Sequence, residues 1–253
     1  MNASGAPAMV PAPAKLTLSL RVTGVRGDGF HLIDAEMVSL DLHDRLAFTP
    51  AAHTTLTVDG PYAEGVPVDA GNLVARALEL AGRPARVEIV KHIPHGGGLG
   101  GGSSDAAAAL RWAGWSATPE ALVLSATLGA DVAYCLAGGR ARVRGIGEVI
   151  DPLPSRELTV TLVVPPLHVS TPAVYAAWDH LGGPTADGPN DLEPAAVHLY
   201  PEMQRWRDLI GDSCGATPVL AGSGATWFVV GEHEEALAAV RSEGADVIVT
   251  TTV

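Results

Sequence analysis

Pro94-His95-Gly96-Gly97-Gly98-Leu99-Gly100-Gly101-Gly102-Ser103-Ser104-Asp105, running straight into Ala106-Ala107-Ala108-Ala109-Leu110, decides how this chain is read. Six of the seven residues from Gly96 to Gly102 are glycine. Ordering each one costs conformational entropy, so a folded chain keeps such a run where its backbone must approach something closely. Phosphate fits that description. Without Cβ atoms, a concave row of N–H groups lies open, and the helix that the alanines begin adds its own free N–H groups and dipole. Ser103 and Ser104 fall where hydroxyls cap that helix and reach phosphate oxygens or their metal ion.

Other glycine loops fit less well. A flexible linker is not normally held between an apolar strand, here Val87 to Ile93, and an alanine-rich helix. Gly96, Gly98 and Gly101 formally satisfy the dinucleotide pattern G-x-G-x-x-G, but Trp112 to Ser116 leads into another helical segment instead of a second parallel strand. A Walker A loop is excluded, since no Gly-Lys-Ser/Thr follows the glycines.

Composition sets the class. A chain of 253 residues, 47% hydrophobic and 17% charged, buries a substantial core and is read as two subdomains. Its net charge of −12 argues against a nucleic-acid surface and leaves an anion site to be built from backbone dipoles and a few local cations. Cys135 and Cys214 fit neither a disulfide framework nor a metal site and are read as buried thiols of a reducing compartment. Residues 1–11 are read as a disordered start lacking the marks of a signal peptide, no run reaches membrane-spanning length, and the expected location is the cytoplasm.

The rest of the chain alternates strands and helices. Lys15 to Val22 places Leu16, Leu18, Leu20 and Val22 on one face and Lys15, Thr17 and Ser19 on the other, predicting a half-buried strand. A turn spans Gly24 to Gly29, strands continue to about residue 60, and a short helix runs from Asn72 to a stop at Gly82 and Pro84. A helix over residues 119–128 leads to Gly129-Ala130-Asp131-Val132, read as a small-residue turn presenting one carboxylate. There Asp131 is either a helix cap or a catalytic group. Residues 140–147 form a strand and glycine turn, and a linker falls near Pro152. The second half reads as a strand at 158–164, helices from Thr171 and at 201–210, the loop Gly222-Ser223-Gly224, a strand at 226–230, a helix at 234–240 and a last strand at 247–251. The fold class is α+β.

Together these motifs resemble the GHMP small-molecule kinase superfamily. Pro13-Ala14-Lys15, the glycine loop, Gly129-Ala130-Asp131-Val132 and Gly222-Ser223-Gly224-Ala225-Thr226 occur in its order. Within it, Gly24-x-Arg26-x-Asp28-Gly29-Phe30-His31 and Asn190-Asp191-Leu192-Glu193-Pro194 resemble the branch that phosphorylates 4-diphosphocytidyl-2-C-methyl-D-erythritol. The resemblance implies an N-terminal domain like ribosomal protein S5 domain 2 over residues 12–152 and a ferredoxin-like C-terminal domain over 153–253. It also implies transfer from ATP, with Mg2+, to the 2-hydroxyl of a cytidine diphosphate-linked polyol in isoprenoid precursor synthesis.

By the same resemblance Asp131 takes the hydroxyl proton, and Lys15 holds that carboxylate ionised and stabilises charge on the oxygen and γ-phosphate. Pro94, Gly96, Gly97, Gly98, Leu99, Gly100, Gly101, Gly102, Ser103 and Ser104 cradle ATP. Asn72 joins them on the nucleotide side unless it simply caps its helix. Phe30 and His31 read cytosine, while Gly222, Ser223 and Gly224 lie beside the phosphates and acceptor. Thr17, where the family usually carries asparagine, also faces the acceptor. His92 and His95 are not read as a metal pair, and no nucleic-acid or membrane partner is expected. The alternatives are another kinase of the superfamily, acting on mevalonate, homoserine or a sugar, and a non-catalytic nucleotide sensor on the same fold.

Overall fold

The computed structural model describes residues 6–253. The expected disordered start lies partly outside them; within them the chain is already extended at Ala8, a correction to the expected boundary. Along the chain come β1 (Ala8–Val25), β2 (His31–Pro50), β3 (Thr55–Asp59), α1 (Leu73–Leu80) and β4 (Ala85–Val90). Next are α2 (Gly101–Trp112), α3 (Pro119–Ala126), α4 (Ala130–Ala137), β5 (Arg140–Gly145) and β6 (Val149–Pro152). The remainder holds β7 (Thr159–Val164), α5 (Thr171–His180), α6 (Glu193–Leu199), α7 (Glu202–Cys214), β8 (Val219–Leu220), β9 (Trp227–Val230), α8 (Ala238–Ser242) and β10 (Asp246–Thr251).

These elements cluster into two compact units that are discontinuous in sequence. The first takes the chain up to Lys15 with Asp41–His95 and Gly100–Gly138. The second takes Leu16–Leu40, Gly96–Leu99 and Gly139–Val253.

In the first unit the second half of β2 pairs antiparallel with β4, Phe48 opposite Val87, and β3 pairs parallel with β4. Helix α1 begins at Asn72, whose Oδ1 accepts from the N–H of Val74, and buries Val74, Ala77 and Leu78 on one stripe. Helix α2 is buried continuously from Ser104 to Leu110. Its alanines make that possible, because a helix without bulk can be approached from several sides, and α1 and α4 both pack on it. Trp112 closes the end of α2, stacked on Phe48 at 5.0 Å with the Arg83 guanidinium over its ring at 4.2 Å.

In the second unit the first half of β2 pairs with β5, and β5 with β6, both antiparallel. A separate antiparallel sheet has the order β10-β7-β9-β8, with Leu162 opposite Phe228 and Ile248. Trp227, Leu162, Val160 and Val163 are wholly buried there. The helix expected at 234–240 is shifted to one turn at α8; residues 234–237 form a turn before it, with the Leu237 N–H donating to the His233 carbonyl and the His233 N–H held by Thr161 Oγ1. Asp131 is corrected too, from a turn to the first turn of α4. Among the described residues no helix is long and apolar enough to cross a membrane.

The Asn190-Asp191 pair clasps the second unit. Buried Asn190 donates through Nδ2 to the carbonyls of Leu220 (2.8 Å) and Gly222 (2.7 Å) and accepts from the Leu192 N–H. Asp191 accepts from the Val22 N–H, the Ala186 N–H and Arg21 Nη1, tying β1 to this turn. Asn190→Ala strands two buried carbonyls and is expected to lower the unfolding free energy by about 2 kcal/mol or more in urea titration; an unchanged midpoint would contradict this role.

Candidate active site

Lys15 and Asp131 meet in the first unit, Nζ to Oδ2 at 3.4 Å. Lys15 stands on β1, its side chain only 7% exposed; Asp131 is 36% exposed at the start of α4. The half-buried strand expected over Lys15 to Val22 is corrected here. Lys15 and Thr17 are as buried as Leu16 and Leu20, so the polar face of β1 is turned inward. One turn beyond Asp131, burial pushes the Cys135 thiol up to about 12, with the Asp131 charge adding to the effect, so that thiol is inert. Cys214 is half-buried rather than buried, and both cysteines are free.

The glycine run is held by close packing at two points. Gly100, the N-cap of α2 at φ +68°, lies on the stem of Lys15, where a Cβ would come within 2.7 Å of Cγ. In the second unit Gly98, at φ +80°, rests on the glycine turn after β8, where a Cβ would meet the Ala221 carbonyl oxygen at 2.8 Å and that of Gly224 at 3.0 Å. Both positions exclude a side chain on conformation and on space. The Thr226 N–H donates to the Gly97 carbonyl at 3.2 Å. Pro94 and Leu99 are buried, Gly96 and Gly102 exposed, and Gly101 and Ser103 half-buried.

The serines do not cap α2, which has no side-chain cap. Ser104 is buried and donates to the Pro13 carbonyl at 2.7 Å, fixing α2 to β1, while Ser103 lies beside Gly129. Asn72 is engaged at both ends, donating to the Pro67 carbonyl while capping α1, so its structural role is complete. In the second unit Thr17 is buried, and Ser223 Oγ lies 2.7 Å from Thr171 Oγ1 between Gly222 and Gly224, both at positive φ. Phe30 is 57% exposed. The His31 ring lies 4.6 Å from that of Tyr175, edge-on to Trp178, with Nε2 2.8 Å from Asp179 Oδ1. Among the described residues no three His, Cys, Asp or Glu side chains group as a metal site.

A buried ion cluster beneath the loop escapes the sequence reading. Lys91 Nζ donates to Asp44 Oδ2 and, at 2.6 Å, to Asp105 Oδ2. Asp44 Oδ1 also accepts from the N–H groups of His92 and Ile93, at 2.5 and 2.9 Å. The cluster thus joins the residue after β4, just before the glycines, to Asp105 in the second turn of α2, just after them. Burial pushes the Asp105 carboxyl up to about 7 despite Lys91, and the two carboxylates hold the Lys91 ammonium above its ordinary range against burial. Asp105 follows the loop in sequence, but nothing local ties it to Asp44. Lys91→Met leaves two carboxylates without their cation, with an expected loss of about 3–5 kcal/mol in denaturant unfolding, partly restored by adding Asp105→Asn. A single variant as stable as the parent would show that the cluster holds nothing.

Comparison with known proteins follows the same lines. The model for the GHMP kinases N terminal domain matches residues 72–139, from the Asn72 cap through α4. The 4-diphosphocytidyl-2-C-methyl-D-erythritol kinase of Paracoccus denitrificans is 41% identical over 237 residues, 86% of this chain and 84% of that protein. The kinase of the same name from Cereibacter sphaeroides (strain ATCC 17029) is 40% identical over 263 residues, 93% of this chain and 94% of its own. A crystal structure of 4-(cytidine 5'-diphospho)-2C-methyl-D-erythritol kinase matches with a TM-score of 0.76 at 34% identity, covering 97% of this chain and 99% of that one. Mevalonate kinase of Methanococcus jannaschii, 12% identical with a TM-score of 0.64 and 99% of each chain covered, shares the fold.

Proposed function

Since the chain belongs to the 4-diphosphocytidyl-2-C-methyl-D-erythritol kinase family of GHMP kinases, we propose that Lys15, Asp131 and the glycine run carry out this family's reaction here. The enzyme transfers the γ-phosphoryl group of ATP to the 2-hydroxyl of 4-diphosphocytidyl-2-C-methyl-D-erythritol, in the non-mevalonate route to isoprenoid precursors. Identity of about 40% over most of the chain favours this reading over a mevalonate, homoserine or sugar kinase and over a sensor.

The observation that carries the residue assignment is the Lys15–Asp131 pair at the foot of the loop. In our reading Asp131 accepts the proton of the attacking hydroxyl as the O–P bond forms and the bond to the β-phosphate oxygen breaks. Lys15 neutralises charge gathering on the attacking oxygen and the transferred phosphoryl group. The N–H groups of Gly96 to Gly102, with the start of α2, receive the phosphates, a task that suits a chain with few cations. Pro94, Leu99, Ser103, Ser104 and Asn72 shape that side; Thr17, Gly222, Ser223 and Gly224 border the acceptor.

The donor chemistry fits Mg2+ arriving on the triphosphate. That ion is ordinarily held by phosphate oxygens and water with one or two protein oxygens, and Ser103 supplies a hydroxyl beside the Asp131 turn. Bound there, Mg2+ would neutralise phosphate charge. We further propose that Phe30 and His31 bind the cytosine, that the functional domains divide near residue 152, and that the enzyme works in the cytoplasm without nucleic-acid or membrane partners.

Two measurements test the assignment. Asp131→Ala is expected to lower kcat by about 10²- to 10⁴-fold with ATP binding retained in titration, and turnover within tenfold of the parent would remove Asp131 as the base. Gly102 is exposed and an added Cβ would lie 3.7 Å from Leu73, so alanine fits without disturbing the fold. Gly102→Ala is therefore expected to raise KM for ATP several-fold at unchanged Tm, whereas an unchanged KM would place the phosphates elsewhere.

A further inference from the structure

His31 is gripped from one helix. Tyr175, Trp178 and Asp179 stand three and four residues apart on α5, and all three meet the imidazole: a ring 4.6 Å away, an edge-on indole at 5.7 Å and a carboxylate oxygen 2.8 Å from Nε2. Trp178 is itself fixed, its indole N–H donating to the Pro184 carbonyl at 2.9 Å. The His31 side chain is 11% exposed. Its Nδ1 makes no hydrogen bond to the described protein.

A carboxylate only accepts, so the bond to Asp179 requires the proton of the neutral ring on Nε2. Nδ1 is then left with a lone pair, an acceptor with no partner among the described residues. Cytosine and uracil differ at two adjacent positions on the base edge, the 4-position, where cytosine carries an amino donor and uracil a carbonyl acceptor, and N3, an acceptor in cytosine and an N–H donor in uracil; a single ring nitrogen can read the first. A ring held in this tautomer satisfies the amino donor and opposes the carbonyl acceptor. Were the proton free to move to Nδ1, the preference would vanish.

We infer that Asp179 is a positioning residue that sets base specificity, holding His31 so that Nδ1 accepts from the amino group of cytosine and rejects the carbonyl of uracil. The inference rests on the reading that Phe30 and His31 bind the base. The same helix carries the other end of the acceptor site: Thr171 Oγ1 meets Ser223 of the glycine turn at 2.7 Å. Thr171 and Asp179 are eight residues apart, or roughly 12 Å of helix. A single rigid element therefore spaces the base-reading histidine from the glycine turn.

The test measures the tautomer and the selectivity in the full chain at pH 8, above the ordinary histidine range. Imidazole ¹⁵N spectra of the wild type are expected to show His31 protonated on Nε2. The kcat/KM ratio of the cytidine diphosphate acceptor over its uridine counterpart is expected to fall at least tenfold in Asp179→Ala. The loss should lie in KM for the acceptor, with kcat and KM for ATP little changed. Asp179→Asn, which still accepts through Oδ1 but no longer forbids the other tautomer, should fall between. A proton on Nδ1 in the wild type overturns the inference whatever the variants do. So does an Asp179→Ala enzyme of parental Tm and parental selectivity. If His31 carries its proton on Nε2 but wild type accepts both nucleotides equally, the base-pocket reading fails and takes the specificity role of Asp179 with it.

Discussion

Absence of room for a single methyl group governs this molecule. At Gly100 the loop backbone lies on the aliphatic stem of Lys15, and at Gly98 it lies on two carbonyl oxygens of the turn that holds Gly222 and Gly224. The curvature of the loop and the placement of the lysine are therefore one constraint. A β-carbon at residue 100 would displace the ammonium that faces Asp131. Glycine is required at residues 98 and 100 by close packing and positive φ, not by a need for flexibility.

The two buried lysines show how one residue type serves opposite ends. Lys91 is committed to two carboxylates in a pocket with almost no exposure, and its charge is spent holding β4 to α2. Lys15 meets one carboxylate that is about a third exposed, at a longer distance. The Lys91 cluster is closed and short, whereas the Lys15 pair is longer and its carboxylate partly exposed. The net charge of −12 makes the contrast sharper, since carboxylates outnumber the cations, and those that are paired near the surface meet arginines, as in the Arg140–Glu36 and Arg144–Asp151 pairs, far from either lysine in sequence.

What could be read in advance was whatever depends on near neighbours. The glycine run, the α1 stripe of Val74, Ala77 and Leu78, and the strand before the loop all follow from short-range pattern, and the family motifs gave the fold. The pattern failed where a distant partner decides. Ser104 looks like a cap until the Pro13 carbonyl claims it, and the helix read over 234–240 begins only at Ala238. Lys15 and Thr17 look solvent-facing because alternation along a strand reports two faces and not what covers each. The Asp44–Lys91–Asp105 cluster is invisible for the same reason, its members being 47 and 14 residues apart. Asn190-Asp191 was read as part of a family motif, and its energetic weight lies in bonds to Leu220, Gly222 and Val22.

The interleaving of the two units has a consequence for how the chain must assemble. The second unit needs residues 16–40 and residues 139–253, with the clasp of Asn190-Asp191 on β1 closing the distance between them. No single cut in the chain releases either unit whole. During synthesis β1 emerges early and waits for well over a hundred residues before its partners at Asn190 exist. Ordering such distant segments carries a large loop-closure cost before any contact repays it, so folding should be slow and late. Over that interval β1 has β2 to pair with but lacks the Asp191 bonds that hold Arg21 and Val22, which makes the nascent chain, more than the finished enzyme, the form most exposed to aggregation.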